Sequence, residues 1–101
     1  MRRGTTPTVI VGNLPVSLDQ IDKLYLIFRP ENNGSILLEK TLDDAVVSNN
    51  TLYFTLTQAE TLALPLGIVR RSIVLKTKAG ARLESYPDRF KVEETAKSGV
   101  I

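Results

Sequence analysis

Few residues in this chain could do chemistry, and their spacing supports little of it. The carboxylates pair at Asp43-Asp44 and Glu93-Glu94, and two arginines pair at Arg70-Arg71. Histidine and cysteine are absent, which removes the usual general base, the near-neutral pH switch, the commonest metal ligand and the thiol nucleophile. A Ser-His-Asp or Cys-His constellation is therefore excluded by composition. Adjacent carboxylates on a strand point to opposite faces, so neither pair makes an acid/base couple. Asp43-Asp44 reads as a corner whose side chains bond nearby backbone amides, and no oxygen-rich loop of calcium-binding form accompanies it. The glycines are scattered and match neither a P-loop nor a dinucleotide fingerprint. The expectation is no catalytic residue, no metal, no cofactor and no small-molecule substrate.

The arginine pair carries more information. Val69, Arg71, Ile73, Leu75 and Thr77 alternate with Ile68, Arg70, Ser72, Val74 and Lys76 in the longest strand of the chain. Arg71 thus falls in the apolar register. Either it marks an edge or shifted register, with its stem snorkelling out, or it is offered to a partner subunit. The net charge of +2 is unevenly spread. Residues 1–69 hold five Lys/Arg against seven Asp/Glu, and residues 70–101 hold eight against four. Such a bias marks a docking face or the solvated outer faces of strands. Nucleic acid is not expected, because Tyr86 and Phe90 are the only aromatics in the basic third and stacking platforms use several.

The elements that position these residues are short strands. Thr51 to Thr57 alternates with Leu52, Phe54 and Leu56 on one face, the period of a half-buried strand. Thr57 and Glu60 then form a capping box ahead of Leu62 and Leu64, and Pro65 and Gly67 end that turn. Before it, Thr8–Val11 is a β-branched strand. Asp19–Arg29 is read as a strand over a competing helix from Ser17 to Phe28, because β-formers dominate. Glu31-Asn32-Asn33-Gly34 predicts a hairpin turn into Ser35–Thr41, its Asn-Gly suiting type I′, with Ile36 and Leu38 expected to pack and Leu37 a further candidate. Ala45–Val47 pairs with the central strand through Ser48-Asn49-Asn50, whose asparagines tolerate positive φ. Lys78-Ala79-Gly80 turns the long strand into Ala81–Tyr86. Pro87-Asp88 bends, and Arg89–Glu93 resumes alternation.

At 101 residues the expectation is one domain: an all-β, immunoglobulin-like antiparallel sandwich of about seven strands with one short helical turn. Residues 1–7 read as a flexible N-terminal arm and 94–101 as a frayed tail. Arg2-Arg3 is followed by Gly-Thr-Thr-Pro, which fits no signal peptide, and no apolar run reaches membrane-spanning length. A soluble protein made in a reducing cytoplasm is expected.

The opening Met-Arg-Arg-Gly-Thr-Thr-Pro-Thr, Glu39-Lys40-Thr41-Leu42-Asp43-Asp44, the segment Asn50 to Leu62 and the late Lys78-Ala79-Gly80-Ala81-Arg82 hairpin resemble a family of small tail-associated proteins of phages and prophages of Gram-positive bacteria. They are similar to the immunoglobulin-like N-terminal domain of phage baseplate upper proteins. The resemblance implies a non-enzymatic structural or assembly module in the virion tail, whose partners are other tail or baseplate proteins or further copies of itself. The candidate interface residues are Arg2, Arg3, Arg70, Arg71 and Arg82, with the arm ordering on a neighbour and Val69–Thr77 at an open sheet edge. The alternative is a sandwich binding cell-wall carbohydrate through Tyr25, Tyr53 or Tyr86.

Overall fold

The alternating stretches become strands: β1 (Thr8–Val11), β2 (Ile21–Pro30), β3 (Leu38–Thr41), β4 (Val46–Ser48), β5 (Thr51–Thr55), β6 (Gly67–Thr77), β7 (Arg82–Glu84) and β8 (Asp88–Val92). One α-helical turn, α1 (Gln58–Leu62), and two 3-10 turns, Leu18–Gln20 and Leu42–Asp44, join them. The computed structural model describes residues 1–32, 34–85 and 88–94. The expected bend at Pro87, the placement of Tyr86 and the tail beyond Glu94 lie outside the described residues.

The strands form two antiparallel sheets, ordered β1-β5-β4 and β3-β2-β6-β7, with β8 also pairing with β6. The chain crosses between sheets after β1, β3 and β5, so sequence neighbours are often not sheet neighbours. The result is an all-β sandwich of eight described strands, one more than the count expected from spacing. Leu24, Leu26 and Phe28 of β2 and Val69 and Leu75 of β6 meet Val9, Val11, Leu52 and Phe54 of the smaller sheet in one buried cluster. Ile21, Leu56, Leu64 and Val92 complete it. Burying these side chains is the main stabilising term, at roughly 1.5–3 kcal/mol for each large one.

The local signals hold where the chain decides them alone. Leu52, Phe54 and Leu56 are fully buried, and β5 lies between β1 and β4. The Thr57 amide donates to Glu60 Oε1 at 2.8 Å and the Glu60 amide to Thr57 Oγ1 at 3.1 Å, closing the capping box. Asn49 and Asn50 have φ of 50° and 59°, and Ser48 pairs with Thr51, as a two-residue type I′ hairpin requires. Gly80, at φ 95°, closes the β6–β7 hairpin, where the Gly80 amide bonds the Thr77 carbonyl. The competing helix does not form: Leu18–Gln20 makes a single 3-10 turn and β2 starts at Ile21.

Three expectations are corrected. First, β6 is not an edge strand. It is flanked by β2 on one side and by β7 and β8 on the other. Its apolar register is nonetheless the one read from the sequence, with Val69 and Leu75 buried. Second, residues 1–7 are not a free arm. Arg2 forms a parallel bridge with Glu93, and the Arg3 amide donates to the Glu93 carbonyl at 2.9 Å. The Leu56 amide bonds the Pro7 carbonyl, and the buried Thr61 hydroxyl donates to the Thr5 carbonyl at 2.8 Å. Backbone groups, which every sequence carries, hold this segment, so its polar composition gave no sign of docking.

Third, the β2–β3 connection is a wide loop. Neither Asn32 nor Gly34 has positive φ, and pairing begins only at Phe28 opposite Leu38. A two-residue turn on Asn33-Gly34 would set Phe28 opposite Glu39. That one-residue slip would turn Leu38 out to solvent. Leu37 and Leu38 do pack against the core, but Ile36 is 41 % exposed.

Candidate interaction surface

Most polar groups that could do chemistry are engaged in holding corners. Asp44 Oδ2 accepts from the Thr41 amide at 2.8 Å and from the Thr41 hydroxyl at 3.3 Å. The Thr41 amide bond, ahead of the small opposing effect of desolvation, holds the Asp44 carboxyl below its usual range. Asp19 is likewise lowered, first by its bond from the Ser17 hydroxyl. Glu60 ties α1 to β3 through a 2.7 Å ion pair with Lys40. Partial burial pushes the Glu60 carboxyl up, but the Lys40 ammonium and the Thr57 amide outweigh it and leave it lowered. Lys40 lies on the inward face of edge strand β3, opposite Leu26, where a charge also discourages further strand addition.

The two outer faces of the sandwich differ sharply. On the smaller sheet the outward residues are Thr8 and Ile10 of β1, Thr51, Tyr53 and Thr55 of β5, and Val46 and Ser48 of β4. None is charged. Ile10 and Val46 flank Tyr53 in one cross-strand row, and they are 61 % and 69 % exposed. Beyond them, β1 and β4 are the edges of this sheet.

The larger sheet presents a basic face. Its register puts Lys23 and Arg29 of β2, Arg70 and Lys76 of β6, Arg82 of β7, and Arg89 and Lys91 of β8 outward. Glu39 of β3 and Glu84 of β7 are the carboxylates its register adds, with Glu84 3.5 Å from Arg82, and Asp22 is exposed at the β2 bulge beside Lys23. A groove of about 280 Å³ lies on this face, with Tyr25, Ile27, Ile36 and Val74 along it and Lys23, Glu39, Lys76 and Arg82 at its charged rim.

The sequence-derived interface residues are not brought together. Arg70 and Arg82 stand on the basic face. Arg71 points the other way, at the rim of the sandwich, where its Nη2 pairs with Asp88 Oδ2 at 2.6 Å. Arg71 is thus neither at an edge nor in a shifted register, and its charge is matched within the fold. Beside that pair, Val9, Phe28 and Phe90 line a groove of about 410 Å³, the two rings edge to face at 5.8 Å. Arg2 bonds the Glu94 carbonyl, and Arg3 reaches the Leu62 carbonyl at 2.6 Å, so both brace the N-terminal segment.

Arg29 and Arg89, which local reading passed over, belong with Arg70. The available signal was their common outward register, but only the strand order reveals it. Tyr25 and Tyr53 lie on opposite outer faces, so those two cannot form one sugar-stacking platform. Among the described residues no three metal-ligating side chains converge, and no helix is long and apolar enough to cross a membrane. No protein-family model matches the chain, and no curated protein matches it in sequence.

Proposed function

We infer that this protein is a non-enzymatic assembly module acting by protein–protein contact. The observation that supports this best is the uncharged outer face of the smaller sheet, where the exposed row Ile10–Tyr53–Val46 sits between two strand edges. Interfaces are depleted in charge at their centre and enriched in tyrosine, and an open edge accepts a further strand from another chain. The resemblance to phage and prophage tail proteins gives the setting: a tail or baseplate, with other tail proteins or further copies of this chain as neighbours.

Co-expression with the structural proteins of such a tail, followed by size exclusion with light scattering, tests the reading. The chain should elute in a complex or as a defined oligomer, and Ile10→Lys or Val46→Lys should release a folded monomer. A wild-type chain that stays monomeric at all concentrations and joins no tail protein would refute it.

A further inference from the structure

The outer face of the larger sheet carries two basic rows that no single strand contains. Arg29, Arg70 and Arg89 are direct cross-strand partners on β2, β6 and β8. Lys23, Lys76 and Arg82 are likewise partners on β2, β6 and β7. Neighbouring strands lie about 4.8 Å apart, so each row packs three cations into roughly 10 Å. Like charges directly opposite each other destabilise a sheet.

The fold does little to relieve the first row. Arg29 Nη1 donates to the Gly34 carbonyl at 2.8 Å, and Arg89 lies 3.5 Å from Glu31. Arg70, at the centre, pairs with no carboxylate among the described residues, and its Nε is buried without a hydrogen-bond partner. Between the rows the register places Tyr25, Ile27 and Val74, and the groove they line opens onto Lys23, Lys76 and Arg82 of the second row.

We propose that this face docks a segment of a partner protein that is acidic at both ends and apolar in the middle, lying along the strands. The rows are six residues apart on β6, about 20 Å at strand rise, which an extended partner segment of similar length spans. Glu39 and Glu84 border the apolar band on β3 and β7 and disfavour carboxylates there. Glu84 also lies 3.5 Å from Arg82, so Lys23 and Lys76 are the cations the second row offers to a partner's carboxylates. Planar guanidinium groups pair with carboxylates two bonds at a time. A nucleic-acid strand fits less well, because its charge is continuous and would cross the apolar band, where Tyr25 is the aromatic residue the strands offer for stacking. The inference rests on the assembly reading but uses the opposite face of the sandwich.

Fluorescence anisotropy with three probes tests it. The first is a labelled peptide with paired glutamates at both ends of an alternating Val-Thr centre. The second replaces those glutamates with glutamine, and the third is a single-stranded oligonucleotide of equal charge. The acidic peptide should bind with salt-sensitive affinity, and the glutamine peptide should not. Arg70→Gln should weaken binding about tenfold, the worth of one or two charge-assisted bonds. Arg89→Gln, on an exposed side chain, should act in the same direction should Arg70→Gln fail to fold. Equal binding of both peptides, tighter binding of the oligonucleotide, or indifference to both arginine variants would overturn the proposal. Ile10→Lys should leave peptide binding unchanged, so loss of assembly through the other face registers separately.

Discussion

Truncating Phe54 tests the central strand most directly. Its side chain is fully buried on the inner face of β5. A phenylalanine buries on the order of 150–250 Å². Alanine retains part of that burial, so the substitution forfeits on the order of 100 Å², about 2.5 kcal/mol of transfer energy at about 25 cal/mol per Å². The cavity left behind raises the total to about 3–5 kcal/mol, because a close-packed sandwich collapses only in part. Single domains have about 5–15 kcal/mol in all, so Phe54→Ala should remove a large share of the chain's stability. Tyr53, one residue earlier, faces outward between Ile10 and Val46. Its truncation removes two cross-strand pairs, about 0.4–2 kcal/mol together. Urea unfolding followed by circular dichroism, at low protein concentration so that association does not cover Tyr53, gives both values. If Tyr53→Ala proved the more damaging change, the inner and outer faces would be interchanged and the packing argument would fail.

Other expectations follow from the contacts around the core. Glu60→Gln breaks the Lys40 pair while keeping an amide oxygen for the Thr57 amide, so it should cost about 1 kcal/mol near pH 7. The folded-state pKa of Glu60 lies below the ordinary glutamate range, so its contribution is present at and above that range and is lost as pH falls through the folded value. The stability difference between the wild type and Glu60→Gln should therefore shrink as pH falls through the folded-state pKa of Glu60. Thr61→Val leaves the Thr5 carbonyl without the donor it has at 2.8 Å, which should cost about 1–2 kcal/mol and speed exchange at the Leu56 amide, which bonds Pro7 of the same segment. Deleting residues 2–6 should lower the melting temperature, since it strips the bonds to Glu93 and Leu62; an unchanged melting curve would mean that those bonds are not kept in solution. Asn49→Val should destabilise by about 1–2 kcal/mol because φ is 50° there, whereas Asn49→Gly should be tolerated.

What the sequence determined by itself was whatever a short stretch decides. The alternation of Leu52, Phe54 and Leu56 selects a buried face because side chains on a strand point alternately. The Thr57–Glu60 box and the Asn49-Asn50 turn close within four residues, so their geometry is written in their own side chains. The lack of histidine and cysteine limits the chemistry before any folding occurs. Sheet order is different in kind. β2 and β6 pair across some forty residues of intervening chain, and only the competition among all strands for partners decides that β6 is central and not an edge. The same competition overrides the Asn-Gly turn, since Leu38 must face the core whatever the loop prefers. It also turns Arg71 inward toward Asp88 while lining up Arg29, Arg70 and Arg89 outside. Those three arginines are far apart in sequence, and antiparallel pairing across β2, β6 and β8 makes them neighbours.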